Sequence, residues 1–272
     1  FARYVPPGVV ARLDRDPSKL ELGGERREVT MIFTDIAGFT TTAEKLDPHV
    51  LVEFMNNYLD GLGNAVLEHG GTIDKFLGDG SMSFFGAPES FEDDADRAVE
   101  CALAIDAYAK QIAKDWGARG LEVGVTRIGV HTGHAIVGNF GGQQRFDYTA
   151  LGDTVNTASR LEGANKMFGT RVIISGDTLA KLKRGHARPV GDVVVKGREQ
   201  ALPLYEAVTE ADWNSSWMKR YLECFEVLKN GGDALKGFEA YVAHNPNDSL
   251  GKYHLARLKN GERGIRIVLV EK

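Results

Sequence analysis

The stretch that decides the fold is Val29-Thr30-Met31-Ile32-Phe33-Thr34-Asp35-Ile36-Ala37-Gly38-Phe39-Thr40, an apolar run that ends in a carboxylate and a glycine. A second segment has the same design, with Asp79 between two glycines in Lys75-Phe76-Leu77-Gly78-Asp79-Gly80. A carboxylate at the end of a buried strand is costly to desolvate unless a cation compensates it. Asp35 and Asp79 therefore indicate a shared divalent metal site, and carboxylate oxygens suit Mg²⁺ or Mn²⁺. The alternative is that Asp35 caps a helix and Asp79 forms a hairpin turn, because aspartate and glycine favour both structures.

Hydrophobic spacing along the rest of the chain predicts an alternation of strands and helices. The order β-α-β-β-α-β, with extra elements, is typical of an α+β fold with a ferredoxin-like split βαβ sheet and helices on one face. In that layout the first strand and the middle hairpin are neighbours, which would bring Asp35 and Asp79 together. The predicted strands are 29–34, 72–77, 81–85, 123–131, 134–139, 171–174, 190–195 and 203–208, and the main helices follow Asp47-Pro48, run from 94 to 116, and run from 154 to 167.

The two ends of the chain differ from this main domain, which we place at residues 28–208. Residues 1–27 contain several proline and glycine breakers and predict a short helix followed by a linker. Residues 209–272 carry aromatic and aliphatic residues at helical spacing, similar to one and a half tetratricopeptide-like units. One such unit cannot bury its own apolar face, so we expect it to lie against the main domain, a partner or further repeats.

Composition limits the partners and the compartment. The chain has 272 residues and a net charge of −5, so no basic field favours nucleic acid or an anionic membrane. Two distant cysteines, Cys101 and Cys224, fit a reducing compartment. No apolar run of membrane-spanning length and no signal-peptide pattern occurs, which favours a cytoplasmic domain. Because the chain begins at Phe1, we expect an excised fragment. An upstream sensor or membrane module is compatible with this expectation.

Several polar residues occur where a bound anion or metal would need them, each with a simpler alternative. Asn156 and Arg160 share one face of a predicted helix, where an amide and a guanidinium suit a sugar and a phosphate. The alternative is an ordinary exposed polar face. Lys196 ends a run of valines and is either a phosphate ligand or a surface lysine. His131 and His134 flank Thr132-Gly133 and are either turn residues of a hairpin or part of a zinc site.

Three segments together resemble the signature segments of class III nucleotidyl cyclases, in the order and spacing of that family. The resemblance covers about residues 28–208. The segments are Phe33-Thr34-Asp35-Ile36-Ala37-Gly38-Phe39-Thr40, Lys75-Phe76-Leu77-Gly78-Asp79 and Leu151-Gly152-Asp153-Thr154-Val155-Asn156-Thr157-Ala158-Ser159-Arg160.

The resemblance implies attack of a ribose 3′-oxygen on the α-phosphorus, with closure of a cyclic monophosphate and release of pyrophosphate. It implies that two Mg²⁺ or Mn²⁺ ions are held by Asp35, Asp79 and the Ile36 carbonyl. It further implies that Asn156 orients the ribose and that Arg160 meets the charge developing at the α-phosphate. The triphosphate would be bound by Lys196 and by the backbone amides of Gly38, Phe39 and Thr40.

The resemblance also implies a substrate and an assembly. Lys75 and Thr149 occupy the two positions that contact the purine, and a lysine with a threonine suits adenine, so we expect ATP and an adenylate cyclase. Thr149 also resembles a subgroup that includes bicarbonate-responsive enzymes. In the family the site lies between two chains, so one chain carrying both sets of residues predicts a homodimer. The alternatives are a guanylate cyclase and a catalytically silent nucleotide-sensing dimerisation module.

Overall fold

The computed structural model describes residues 5–16, 22–142, 144–195 and 199–269. Its elements, in chain order, are α1 (Pro7–Arg15), β1 (Gly23–Ile36), α2 (Phe39–Ala43), α3 (Pro48–Glu68), β2 (Thr72–Leu77), β3 (Gly80–Phe85), α4 (Asp94–Ala118), β4 (Thr126–Gly142), β5 (Arg145–Leu151), α5 (Asp153–Phe168), β6 (Val172–Ser175), α6 (Gly176–Lys181), β7 (His186–Val194), β8 (Leu202–Val208), α7 (Glu210–Trp213), α8 (Ser216–Lys229), α9 (Leu235–His244), α10 (Ser249–Lys259) and β9 (Arg266–Val268).

The strands form one mixed sheet in the order β2-β3-β1-β4-β6-β8-β7-β9, and β5 pairs with β4. The pairs β4–β6 and β7–β9 are parallel, and the other pairs are antiparallel. Thr34 of β1 lies opposite Ser81 of β3, so the end of β1 lies beside the β2–β3 turn. The predicted α+β fold is confirmed, and so is the neighbouring position of the first strand and the middle hairpin.

Helices cover both faces of the sheet, so the prediction of helices on one face was wrong. Ile32 and Ile36 of β1 belong to the core cluster that includes the inward residues of α3 and α4. The alternate residues Val29 and Met31 belong to a second cluster, which includes Ala158 of α5. All six residues of β3 are buried, as expected for a strand covered on both sides. The strand sequence Gly80–Phe85 consists of small and apolar residues without a charge, which suits burial on both faces better than alternation between core and solvent.

Strand β4 runs without a break through Thr132-Gly133, so the predicted separate strands 123–131 and 134–139 were wrong. Gly133 lies opposite Val29 in the ladder. A Cβ at Gly133 would lie 2.6 Å from the Thr154 hydroxyl, so this glycine permits close approach of the start of α5 rather than a turn. His131 is buried in the strand, where its Nδ1 lies 2.7 Å from the Ser175 hydroxyl. The alternative of a histidine pair in a hairpin is therefore also wrong.

The C-terminal helices lie against the main domain. Tyr221, Phe225 and Phe238 share one apolar cluster with Leu161 and Phe168 of α5 and with residues of β6, β7 and β8. Strand β9 then pairs with β7 and extends the same sheet. The apolar face of the C-terminal helices is thus buried against the main domain of the same chain. Within the ranges that the structure describes, no helix is both long and apolar enough to cross a membrane.

Candidate active site

The Asp35 and Asp79 carboxyl groups meet at the end of β1. Asp79 lies in the turn between β2 and β3, directly after Gly78, whose φ of +63° is a conformation that glycine adopts readily. The Asp79 Oδ2 accepts a hydrogen bond of 3.0 Å from the backbone N–H of Ile36. Burial, followed by contact with the Asp35 carboxyl, raises the pKa of Asp79 above its usual value. Two carboxylates held this close repel each other unless a cation lies between them.

Arg127 and Glu162 border this pair, and the sequence interpretation missed both of them. Arg127 lies opposite Asp35 in the β1–β4 ladder, and its Nη2 is 2.7 Å from the Asp35 Oδ2. Its Nε lies 3.1 Å from the Glu162 Oε1, without the alignment of a hydrogen bond. Burial raises the pKa of Glu162 to about 7, against the opposing effect of Arg127. The sequence did offer a signal for Arg127, which is a charged residue at the start of the buried strand β4.

The donor set at Asp35 and Asp79 fits a hard divalent cation. Asp35 and Glu162 both lie against the Arg127 guanidinium, and Asp79 contacts Asp35, so three carboxyl groups surround one cationic side chain. Among the described residues, no group of three or more histidine, cysteine, aspartate and glutamate side chains is arranged to hold a metal ion. A cation here would take two protein carboxylates and complete its shell with backbone oxygen, water or substrate phosphates, which is the usual way that Mg²⁺ binds.

The segment after Asp35 turns at once into the short helix α2. Gly38 precedes the helix with a φ of +69°, and the backbone then enters α2 at Phe39. The Phe39 side chain is buried, and its ring centroid lies 5.5 Å from that of Phe54, so it serves the core. Thr40 is exposed. The predicted role of Gly38, Phe39 and Thr40 concerns their backbone amides, and the first N–H groups of a helix have no acceptor within it.

Asn156 and Arg160 lie one helical turn apart on α5. Asn156 is exposed and Arg160 is half-buried. Within the described ranges, neither side chain makes a hydrogen bond or ion pair with Asp35 or Asp79. The contacts of the described residues therefore do not join Asn156 or Arg160 to the carboxylate pair. Lys196 lies outside the described residues.

Lys75 and Thr149, from distant parts of the sequence, meet at Asp74. The Thr149 hydroxyl donates a hydrogen bond to the Asp74 Oδ2, which also accepts from the Ala150 N–H at 3.4 Å. The Lys75 Nζ lies 3.5 Å from the Asp74 Oδ1. The Asp74 side chain has no exposed surface, and burial raises its pKa while Thr149 and Lys75 oppose the change. The sequence interpretation missed Asp74, although it directly precedes Lys75.

The family model that matches the chain is the "Adenylate and Guanylate cyclase catalytic domain", over residues 24–206. Adenylate cyclase 1 of Rhizobium meliloti is 42% identical over 76% of this chain and 31% of its own length. The adenylate cyclase of Anabaena cylindrica is 32% identical over 76% of this chain and 42% of its own. The chain thus spans less than half the length of these two relatives.

Two solved structures have the same fold. The crystal structure of the adenylyl cyclase CyaB from P. aeruginosa is 37% identical, covers 70% of this chain and 97% of its own, and has a TM-score of 0.65. The guanylyl cyclase Cya2 is 34% identical, covers 70% of this chain and 96% of its own, and has a TM-score of 0.62. The family match, together with the paired carboxylates at the end of β1, identifies the chain as a member of the adenylate and guanylate cyclase catalytic domain family, the class III nucleotidyl cyclases.

Proposed function

We propose that this chain is an adenylate cyclase, which converts ATP to 3′,5′-cyclic AMP and pyrophosphate. The observation that carries the proposal is the contact between the Asp35 and Asp79 carboxyl groups, bordered by Arg127, in a member of a cyclase family. Asp35, Asp79 and the Ile36 carbonyl would hold two Mg²⁺ or Mn²⁺ ions. When bound, these ions would lower the pKa of the ribose 3′-hydroxyl and neutralise the leaving phosphates.

The chain's own residues would bind and orient the nucleotide. The backbone amides of Gly38, Phe39 and Thr40 at the start of α2 would bind the β- and γ-phosphates, together with Lys196. On α5, Asn156 would orient the ribose, and Arg160 would stabilise the charge that develops at the α-phosphate. The exposure of Asn156 supports this assignment, because its amide is available to a ligand.

The choice of ATP rests on Lys75 and Thr149. Adenine accepts a hydrogen bond at N1 and donates from its 6-amino group, and guanine has the opposite pattern at both positions. The Lys75 ammonium can only donate. Because Asp74 joins Lys75 and Thr149, the two side chains are close enough to contact one base. The alternative activity is that of a guanylate cyclase, since the chain resembles the structures of both an adenylyl cyclase and a guanylyl cyclase.

The same proposal includes a homodimer with shared sites. In the described part of one chain, Asn156 and Arg160 make no hydrogen bond or ion pair with the carboxylate pair, and we infer that a second copy supplies them. Apolar side chains beside Lys75 support a protein partner, since Phe76 is 43% exposed and Leu77 is 49% exposed. Mixing inactive Asp35→Ala with inactive Arg160→Ala should restore activity at one site of the mixed dimer. Exchange of subunits without recovery would refute shared sites.

The direct test is to incubate the purified chain with Mn²⁺ and either ATP or GTP and to identify the products. Cyclic AMP from ATP, at a higher kcat/KM than cyclic GTP from GTP, supports the proposal. The reverse preference would make the chain a guanylate cyclase. Nucleotide binding without either product would favour the silent sensor module.

The surroundings of the domain belong to the proposal as well. Cys101 and Cys224 are both free, and Cys101 is buried, which fits the reducing cytoplasm where ATP is found. Because the chain spans only part of its curated relatives, we propose that the catalytic domain works beside a sensor or membrane module.

A further inference from the structure

The contact between Asp74 and Thr149 bears on how the purine is selected. A threonine hydroxyl has one proton to donate and two lone pairs that accept, and it can normally rotate to suit either kind of partner. Thr149 is 7% exposed, so bulk water does little to set the direction of its hydroxyl. Its proton points to the Asp74 Oδ2. The remaining lone pairs are then the only hydrogen-bonding groups that Thr149 can offer to a ligand.

Asp74 can act only as an acceptor here, because donors surround it. The Ala150 N–H also donates to its Oδ2, and the Lys75 ammonium lies 3.5 Å from its Oδ1. The Oδ1 has no hydrogen bond, and the whole side chain is shielded from solvent. A buried carboxylate without enough hydrogen bonds holds its remaining donors strongly, since losing one leaves it less compensated. The Thr149 hydroxyl therefore keeps its hydrogen bond to Asp74 and does not donate to a base.

We propose that Asp74 determines the preference for adenine by fixing the Thr149 hydroxyl as a hydrogen-bond acceptor. This inference rests on the proposed function, in which Lys75 and Thr149 contact the purine. Adenine matches the pair twice, because its N1 accepts from Lys75 and its 6-amino group donates to Thr149. A 6-oxopurine fails twice, because its N1–H faces the ammonium and its O6 faces a lone pair. With its proton bound to Asp74, the Thr149 hydroxyl presents only acceptor lone pairs to the base, as a carboxylate would.

The test uses three nucleotides that separate the two positions of the base. Inosine triphosphate differs from ATP at positions 1 and 6 without adding a 2-amino group. Purine riboside triphosphate keeps the N1 acceptor and lacks only the 6-amino group. For each, kcat/KM is measured with Mn²⁺, and binding is measured separately by the thermal shift caused by the 3′-deoxy forms of ATP and inosine triphosphate, which cannot cyclise.

In Asp74→Ala the Thr149 hydroxyl is free to rotate and donate to O6. The preference for ATP over inosine triphosphate should fall about tenfold or more, the usual effect of removing one mismatched buried polar contact. In Thr149→Val the preference for ATP over purine riboside triphosphate should disappear, and Thr149→Ser should retain it. Adding Asp74→Ala to Thr149→Val should change the ATP preference by less than about twofold, because the two residues act through one hydroxyl.

The matched control is Asp147→Ala, which removes an exposed carboxylate from the same strand two residues before Thr149. Its nucleotide preference should equal that of the wild type. The inference is overturned if Asp74→Ala lowers activity equally with all three nucleotides. It is also overturned if Asp74→Ala changes the preference as strongly in the Thr149→Val background, since Asp74 would then act through Lys75.

Failure of the proposed function has a different signature. A wild-type chain that forms no cyclic product from ATP or GTP would refute the cyclase activity. The 3′-deoxy binding measurements would still decide the role of Asp74, because they need no turnover. Should Asp74→Ala fail to fold, the comparison of Thr149→Val with Thr149→Ser decides whether the hydroxyl accepts from the 6-amino group.

Discussion

The buried ion pair between Arg188 and Asp248 should hold the C-terminal helices on the sheet. Arg188 of β7 has a side-chain exposure of 5%, and its two Nη atoms donate to the two Asp248 carboxylate oxygens at 2.9 and 2.7 Å. Its Nε also donates to Glu206 of β8 at 2.7 Å. Asp248 further accepts from the Tyr241 hydroxyl at 2.7 Å and from the Gly251 N–H at the start of α10. One carboxylate thus joins two tail helices to a strand of the main sheet.

Replacing Asp248 with alanine removes its bonds to Arg188, Tyr241 and Gly251 and leaves Arg188 with Glu206 as its remaining carboxylate partner. Breaking one side of a buried ion pair costs about 3–5 kcal/mol of the free energy of unfolding. For a domain of this size, about 1 kcal/mol lowers Tm by roughly 2–4 °C. The expected fall in Tm is therefore about 10 °C, measured by calorimetry, together with a lower urea midpoint at an unchanged slope.

The control is Asp233→Ala, because Asp233 also accepts a backbone N–H at the start of a tail helix but pairs with no arginine among the described residues. Its Oδ1 accepts from the Leu235 N–H at 3.1 Å at an exposed site. Loss of such a cap alone costs about 1 kcal/mol. The difference between the two variants measures the buried pair. Equal effects of Asp248→Ala and Asp233→Ala would refute the reasoning, and so would strict additivity of Arg188→Met with Asp248→Ala.

The remaining predictions concern the site. Burial raises the pKa of Glu162 from 4.5 to about 7, so its contribution to stability is present below pH 4.5 and is lost as the pH rises to about 7. Glu162→Gln should flatten this part of the metal-free stability profile, where the wild type loses at most about 3 kcal/mol, and an unchanged profile would contradict the assignment. Asp35→Asn and Asp79→Asn should each abolish the rise in Tm caused by Mn²⁺ and reduce cyclase activity by at least about a hundredfold, and retained stabilisation by Mn²⁺ would count against a site at this pair. Lys75→Glu combined with Thr149→Cys should move the ratio of kcat/KM values toward GTP, whereas a constant ratio would reject both residues as purine contacts.

Some features were available from the sequence because they depend on local spacing. Asp47-Pro48 predicted the start of α3, and in the structure the Asp47 carboxylate accepts the His49 N–H at 2.8 Å. The apolar run before Asp35 predicted β1, and the glycines around Asp79 predicted the hairpin. These features were predictable because caps, tight turns and strand periodicity are set by neighbours in the chain.

The errors came from positions where a distant element decides the local structure. Thr132-Gly133 has the composition of a turn, yet Gly133 lies in a continuous strand because α5 passes over it. The cover of helices on both faces of the sheet was equally hidden, since strand periodicity does not show what packs on each face.

The sequence by itself singled out Asp35, Asp79 and Lys75 as the proposed site residues, because each follows or interrupts an apolar run where an unpaired charge would be costly. Only the tertiary structure decided what surrounds them. It brought Arg127 to Asp35 across the β1–β4 ladder, and it placed Asp74 under the Thr149 hydroxyl. Both contacts join residues far apart in the chain, and no local pattern encodes the pairing of strands or the direction of a hydroxyl proton.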